Sequence, residues 1–324
     1  MLSRIADSVY WMSRYLERAG NTARLIEINL LYLLEAEDAL PVTAQWKPLL
    51  SITVSEEAYA QCYDGAAITA HKVIQFMTQE RKNPNGIRTS LRLARENARV
   101  VRDRISMEMW EAMNELWLQV DRQLATPLVP ERAASVYATV RNGVARFHGL
   151  TANTMMRGEG WGFYLLGTLL ERADMTARIL DVKYHLLLPD MSLVGSALDY
   201  YQWAALLTSL SGFEAYRRKY HAGLRPIDVA EFLIFEPDFP RSLRFSVGRM
   251  HDALQKIGAG NLSNATETAV RRLEEHLEHG SAEQVFRDGL HEYLEEFLEQ
   301  ISQLHAVLAA EYFDAQLTDR QCAT

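Results

Sequence analysis

The sequence predicts an all-α fold, and three observations carry that prediction. Apolar residues recur at helical spacing over long stretches, no alternating apolar and polar run of strand length occurs, and the prolines act as punctuation. Pro41, Pro48, Pro84, Pro127, Pro130, Pro189, Pro226, Pro237 and Pro240 all fall between helical patterns or at their starts. Helices are predicted near residues 2–36, 46–62, 65–81, 87–121, 130–154, 160–187, 197–221, 226–235, 240–257, 263–278 and 281–313.

The first helix is marked by Ile5, Val9, Met12, Leu16, Ala19, Ala23, Ile26, Leu30 and Leu33, spaced alternately by four and three so that they form one stripe. The helix beginning near 160 keeps the register, with Phe163, Leu166, Leu170, Ala173, Ala177, Leu180, Tyr184 and Leu187. The repetition extends to letters. Leu16-Glu17-Arg18-Ala19 and Thr22-Ala23-Arg24 return 154 residues later as Leu170-Glu171-Arg172-Ala173 and Thr176-Ala177-Arg178. Further along, Gln45-Trp46 and Glu57-Ala58-Tyr59 recur as Gln202-Trp203 and Glu214-Ala215-Tyr216, and Ser90-Leu91-Arg92 as Ser242-Leu243-Arg244, at offsets between 152 and 157. Ordered matches of this kind predict a tandem duplication with internal pseudo-two-fold symmetry. The copies would span 1–154 and 155–324, packed as one interleaved unit.

Beside each stripe runs a polar one: Tyr10, Glu17 and Arg24 in the first copy, Tyr164, Glu171 and Arg178 in the second. Glu and Arg two turns apart are too distant to pair along one helix, so pairing between helices is expected. An antiparallel crossing near Gly20 and Asp174 would bring Glu17 to Arg178 and Arg24 to Glu171; the alternative is that these charges face water.

The helix from 87 carries Arg88, Arg92, Arg95, Arg99 and Arg102 at helical spacing, with Glu96 among them and Glu108, Trp110 and Asn114 expected further along the same helix. Guanidinium offers fixed bidentate donors, so the row suits phosphates, carboxylates or an acidic partner surface. A structural ion-pair lattice around Glu96 is equally natural. The last helix pairs an apolar face (Phe286, Leu290, Phe297, Ile301, Leu304, Leu308) with acidic Glu292, Glu295, Glu296 and Glu299, and either closes its own bundle or docks a partner.

Bulk properties narrow the function classes. A net charge of −8 disfavours general nucleic-acid binding. Cys62 and Cys322 make neither a disulfide framework nor a thiolate metal site. Residues 1–20 hold charges throughout and no apolar core, and Tyr200 to Phe213 is too short to span a bilayer, so no membrane segment and a cytoplasmic location are expected. No phosphate loop, complete dinucleotide fingerprint or nucleophile elbow is present. His276, His279 and His291 lack the paired Glu-x-x-His spacing of a di-iron bundle, so no metal is expected.

Tyr10-Trp11-Met12-Ser13-Arg14-Tyr15-Leu16-Glu17-Arg18-Ala19 resembles the first motif of the bacterial alpha-E family. So do Arg88 to Arg92 with Ala94 to Arg99, Leu170 to Asp174, and Asp238-Phe239-Pro240-Arg241-Ser242, and the resemblance covers almost the whole chain. Ser13 departs from the Gly expected there, which bears on how tightly that helix packs. The resemblance implies an all-helical protein encoded beside, or fused to, a circularly permuted ATP-grasp protein, often with transglutaminase-like and proteasome-related peptidases nearby. It implies ATP and Mg on that partner ligase, no cofactor on this chain alone, and no catalytic residue to carry over. Two functions follow: a helical partner subunit of a carboxylate-amine ligase system that binds the ligase and its anionic or peptide substrate, or an enzyme in its own right using Glu96, Glu108 or the Glu17 and Glu171 pair in peptide formation or modification.

Overall fold

A computed structural model describes residues 1–35, 41–186, 197–258 and 265–314. Among these residues the secondary structure is α-helical, with no strand. The helices are α1 (Ser3–Glu35), α2 (Val42–Ile52), α3 (Glu56–Tyr63), α4 (Ala70–Thr78), α5 (Ile87–Val100), α6 (Met107–Gln123), α7 (Pro130–Thr154), α8 (Glu159–Leu186), α9 (Ala197–Ser209), α10 (Phe213–Lys219), α11 (Pro226–Phe235), α12 (Leu243–Ile257), α13 (Ala265–His279), α14 (Ala282–Asp288) and α15 (Leu290–Tyr312).

The long helices α1 and α8 form the centre, because their stripes have no other place to go. Val9, Met12, Leu16, Ala19, Ala23 and Ile26 are buried, and so are Phe163, Leu166, Leu170, Ala173, Ala177 and Leu180. Contacts advance in the same direction along both helices: the Met1 amino group meets Glu159, Ser13 lies against Gly167, and Arg18 meets Glu171. The two therefore run parallel, side by side. The sequence had pointed to an antiparallel crossing near Gly20 and Asp174; the closest approach is instead at Ser13 and Gly167. A β-carbon at Gly167 would overlap the Ser13 hydroxyl and the Tyr10 carbonyl oxygen. Ser13 fits because its hydroxyl bonds back to that same carbonyl oxygen at 2.8 Å.

Each central helix has antiparallel companions. α7 runs back along α1, with Val144 against Gly20 and Arg141 on Glu27 at 2.7 Å. α12 runs back along α8, with Ile257 against Gly162 near its far end and the carbonyl of Arg241, just ahead of it, accepting from the Thr176 hydroxyl at 2.9 Å. α15 also lies on α8 and joins it through His291 and Asp181 at 2.7 Å. α5 packs on α1, and α6 folds back on α5.

Two smaller clusters, α2 to α4 and α9 to α11, carry matching local geometry. Trp46 and Trp203 are fully buried. Tyr59 meets Phe76 edge to face at 5.2 Å, and Tyr216 meets Phe232 likewise at 5.7 Å. The turn after α2 places Val54 at φ 50° with Ser55 N–H bonded to the Leu50 carbonyl at 2.8 Å; the turn after α9 places Ser211 at φ 54° with Gly212 N–H on Leu207 at 2.7 Å. A non-glycine residue in the left-handed region is uncommon, so its recurrence at one offset is informative.

These turns also explain where the predicted boundaries fail. The helices expected over 46–62 and 197–221 are each broken at the left-handed residue, and 281–313 is broken at Gly289, whose φ is 113°. The stretch 87–121 is two helices, interrupted between Val100 and Met107, where the Ser106 hydroxyl accepts from Met109 N–H at 3.2 Å and starts α6. Glu108, Trp110 and Asn114 thus belong to a different helix from the arginines, not a continuation of theirs.

Candidate binding site

Two Glu-Arg dipeptides face each other across the α1 and α8 seam. Arg18 grips Glu171 with both edges of its guanidinium, Nε to Oε1 at 2.5 Å and Nη2 to Oε2 at 2.9 Å. Arg172 grips Glu17 in the same way at 3.1 and 3.2 Å. Both carboxylates are only 2 % exposed, so the pairs sit where an unpaired charge would be very costly. The expected partners, Arg178 for Glu17 and Arg24 for Glu171, are not the observed ones. Parallel packing sets each Glu opposite the Glu-Arg step of the other helix, which brings in the very next arginine. Arg178 turns instead to Asp174 on its own helix at 2.9 Å. Arg24 is largely buried, and its Nη1 has no hydrogen-bond partner among the described residues.

Further basic groups complete each half differently. On Glu171, Arg14 Nε donates to Oε2 at 3.0 Å. On Glu17, Arg241 Nη2 lies 3.2 Å from Oε1 and His148 Nε2 lies 3.1 Å from Oε2. Tyr10 and Tyr164, the heads of the two polar stripes, contact a histidine each: Tyr10 Oη is 2.9 Å from His305 Nδ1, and Tyr164 Oη is 2.5 Å from His148 Nδ1.

Electrostatics follow from this crowding. Burial pushes both carboxyls up, but the facing guanidiniums outweigh it and hold Glu17 well below, and Glu171 below, the usual carboxylate range. Burial and the neighbouring Arg172 and Arg24 bring the Arg241 guanidinium down to about 9 against the pull of Glu17. Burial and Arg14 lower the His305 imidazole to about 4, leaving it neutral at physiological pH. Carboxylates fixed in the ionised form are weak proton acceptors at neutral pH, which fits Glu17 and Glu171 to holding groups in place better than to acid-base work.

The Glu171 half opens to solvent as a cleft of about 220 Å³. Arg14, Arg18, Glu171, Asp174, Arg178 and His305 supply its charged and aromatic wall, with Asn85 and the α2 to α3 turn closing one side. Asn85 Oδ1 accepts from Arg18 Nη1 at 3.0 Å, and its Nδ2 donates to the Thr53 carbonyl at 3.0 Å.

The arginine row lies elsewhere and divides by face. Arg88, Arg95 and Arg102 point at α6, reaching Asp121 at 2.6 Å, Asn114 at 2.8 Å and the Trp110 ring at 5.4 Å. Arg92 and Arg99 point outward. Arg99 is 66 % exposed and paired with Glu96 at 2.8 Å, and Arg92 is exposed with no ion pair among the described residues. Glu96 also takes Arg95 at 3.0 Å. Three of the five arginines thus join α6, and the other two face outward, Arg99 on Glu96 and Arg92 with no ion pair among the described residues.

Several site residues escaped the sequence reading. Arg14, Arg18 and Arg172 were hidden by the assumed antiparallel register. His148 and His305 stand 157 residues apart, an offset already seen elsewhere in the chain, and that spacing was a usable signal. Arg241 lay inside the Asp238 to Ser242 motif. Among the described residues no three His, Cys, Asp or Glu side chains gather as a metal-holding group, and no helix is long and apolar enough to cross a membrane.

An all-α chain built around two interlocked, buried Glu-Arg dipeptides defines the class. The chain belongs to the Alpha-E family, described as an alpha-helical domain with a conserved ER motif, whose model matches residues 1–313. Similar chains include uncharacterized proteins of Mycobacterium bovis and of two Mycobacterium tuberculosis strains, each 23 % identical over 312 residues. That match takes in 91 % of this chain and 35 % of each relative, so the chain spans about a third of their length. No solved structure matches.

Proposed function

We propose that this chain is a helical partner subunit of an ATP-grasp-type carboxylate-amine ligase system, with ATP and Mg held by the partner. The observation that carries the reading is the outward part of the arginine row. Arg92 and Arg99 stand exposed on α5 of a chain with net charge −8, and Arg92 serves no ion pair among the described residues. Exposed guanidiniums on a rigid helix are suited to an acidic partner surface or to anionic substrate groups. The greater length of the relatives supports the same reading, since there the alpha-E unit shares its polypeptide with other sequence. The transglutaminase-like and proteasome-related peptidases are further candidate partners.

The test is reconstitution with a circularly permuted ATP-grasp protein from the same genome. Expected are co-purification, ATP turnover only in the mixture, and loss of both in Arg92→Glu/Arg99→Glu. Turnover by this chain alone, or unchanged association of the double variant, would overturn the proposal.

A further inference from the structure

We infer that the cleft between α1, α8 and α15 binds a small acidic amino acid, held through its carboxylates and its ammonium together. The comparison of the two halves points to the ammonium. Glu17 spends both oxygens twice: Oε1 on Arg172 and Arg241, Oε2 on Arg172 and His148. Glu171 spends Oε2 twice, on Arg18 and Arg14, but Oε1 meets Arg18 alone among the described residues. A carboxylate oxygen carries two acceptor positions, so one is left on the half that opens to the cleft. The position that matches Arg241 at the offset of 152 is Thr89, whose neutral hydroxyl supplies no cation. Asp174 and the residues of the α2 to α3 turn, Thr53 and Val54, line the same space and add acceptors for an ammonium group.

The remaining donors point to carboxylates. Arg178 commits Nε and Nη2 to Asp174, and Arg14 commits Nε to Glu171 and Nη1 to Tyr10. Arg14 Nη2 and Arg178 Nη1 have no hydrogen-bond partner among the described residues, although the Arg14 guanidinium also lies over the Trp11 ring at 5.1 Å. Three guanidiniums, those of Arg14, Arg18 and Arg178, face two carboxylates, those of Glu171 and Asp174, with His305 neutral, so the wall carries one surplus positive charge. A zwitterion with one extra carboxylate neutralises it. The volume of about 220 Å³ lies below the ~300–1,000 Å³ of drug-sized pockets, which restricts the occupant to a small molecule.

Use of this ligand as the amine of a ligation rests on the proposed function, but the binding is scored on this chain without any ligase, so the two readings fail separately. Isothermal titration of the full chain with L-glutamate is expected to saturate at one site. Glutarate, which lacks the ammonium, and the Arg178→Gln variant with L-glutamate are each expected to bind about tenfold or more weakly, the loss of one charge-assisted hydrogen bond. Ser302→Phe, at an exposed position on the cleft rim, is expected to abolish binding with thermal stability unchanged. Absence of heat with L-glutamate overturns the inference, as does equal affinity for glutarate or full binding by Ser302→Phe.

Discussion

Replacing Glu17 by glutamine removes a negative charge from a place where three basic groups lie within 3.2 Å of it. Arg172 and Arg241 are 17 % and 14 % exposed, so water cannot take over the role of counter-ion. Leaving one buried partner uncompensated costs about 3–5 kcal/mol. The glutamine oxygen still accepts one hydrogen bond, returning about 1 kcal/mol. The expected loss is therefore about 3 kcal/mol, a large share of the ~5–15 kcal/mol typical of a folded chain. Urea unfolding followed by far-ultraviolet dichroism should show a lower midpoint with an unchanged slope. Removing the surplus cation as well, in Glu17→Gln/Arg241→Met, should recover part of the loss. A cost below about 1 kcal/mol, the value for an exposed pair, or strict additivity in the double variant, would refute the view of Glu17 as the counter-ion of a buried cluster.

Acid should act on the same cluster. Glu17 and Glu171 have folded values below the ordinary 4.5, so their contribution is complete above about pH 4.5 and is lost as the pH falls through the folded values. His305, lowered from 6.5 to about 4, has the same sign and weakens the fold from about pH 6.5 downwards. Stability should thus decline gently below 6.5 and steeply below 4.5, and His305→Gln should remove the upper limb in a pH series of unfolding curves. Gly167→Ala, which sets a methyl group against the Ser13 hydroxyl and a backbone oxygen, should cost about 1–3 kcal/mol by forcing α1 and α8 apart, read as a lower melting temperature. Arg92→Glu/Arg99→Glu should leave the melting temperature almost unmoved, since surface substitutions fall within about 0.5 kcal/mol; a collapse would assign these arginines to the fold instead.

Much of the helical architecture was legible because it rests on spacing. The stripe whose members from Val9 to Ile26 are buried set the course of α1, and the spans of α7 and α11 agree with the sequence to the residue. Breaks were harder to read. Left-handed turns at Val54 and Ser211 use residues with no glycine signature, and apolar periodicity continues across them. The ion-pair cluster was half legible. Glu17 and Glu171 could be singled out by repetition, but periodicity gives a side chain's face and not the direction of the helix opposite. A parallel seam and an antiparallel one share the same stripes while choosing different arginines. Only the close approach at Gly167, matched against Ser13, separates them, and that is a property of two distant positions at once.

The reciprocal grip of the two dipeptides makes each half of the chain hostage to the other. The anchor for Glu17 on α8 lies beyond residue 154, and the guanidiniums that neutralise Glu171 lie before it. Either half expressed by itself would carry a naked charge at its most apolar seam. Any cut, fusion or permutation of this protein must therefore keep α1 and α8 within reach of one another.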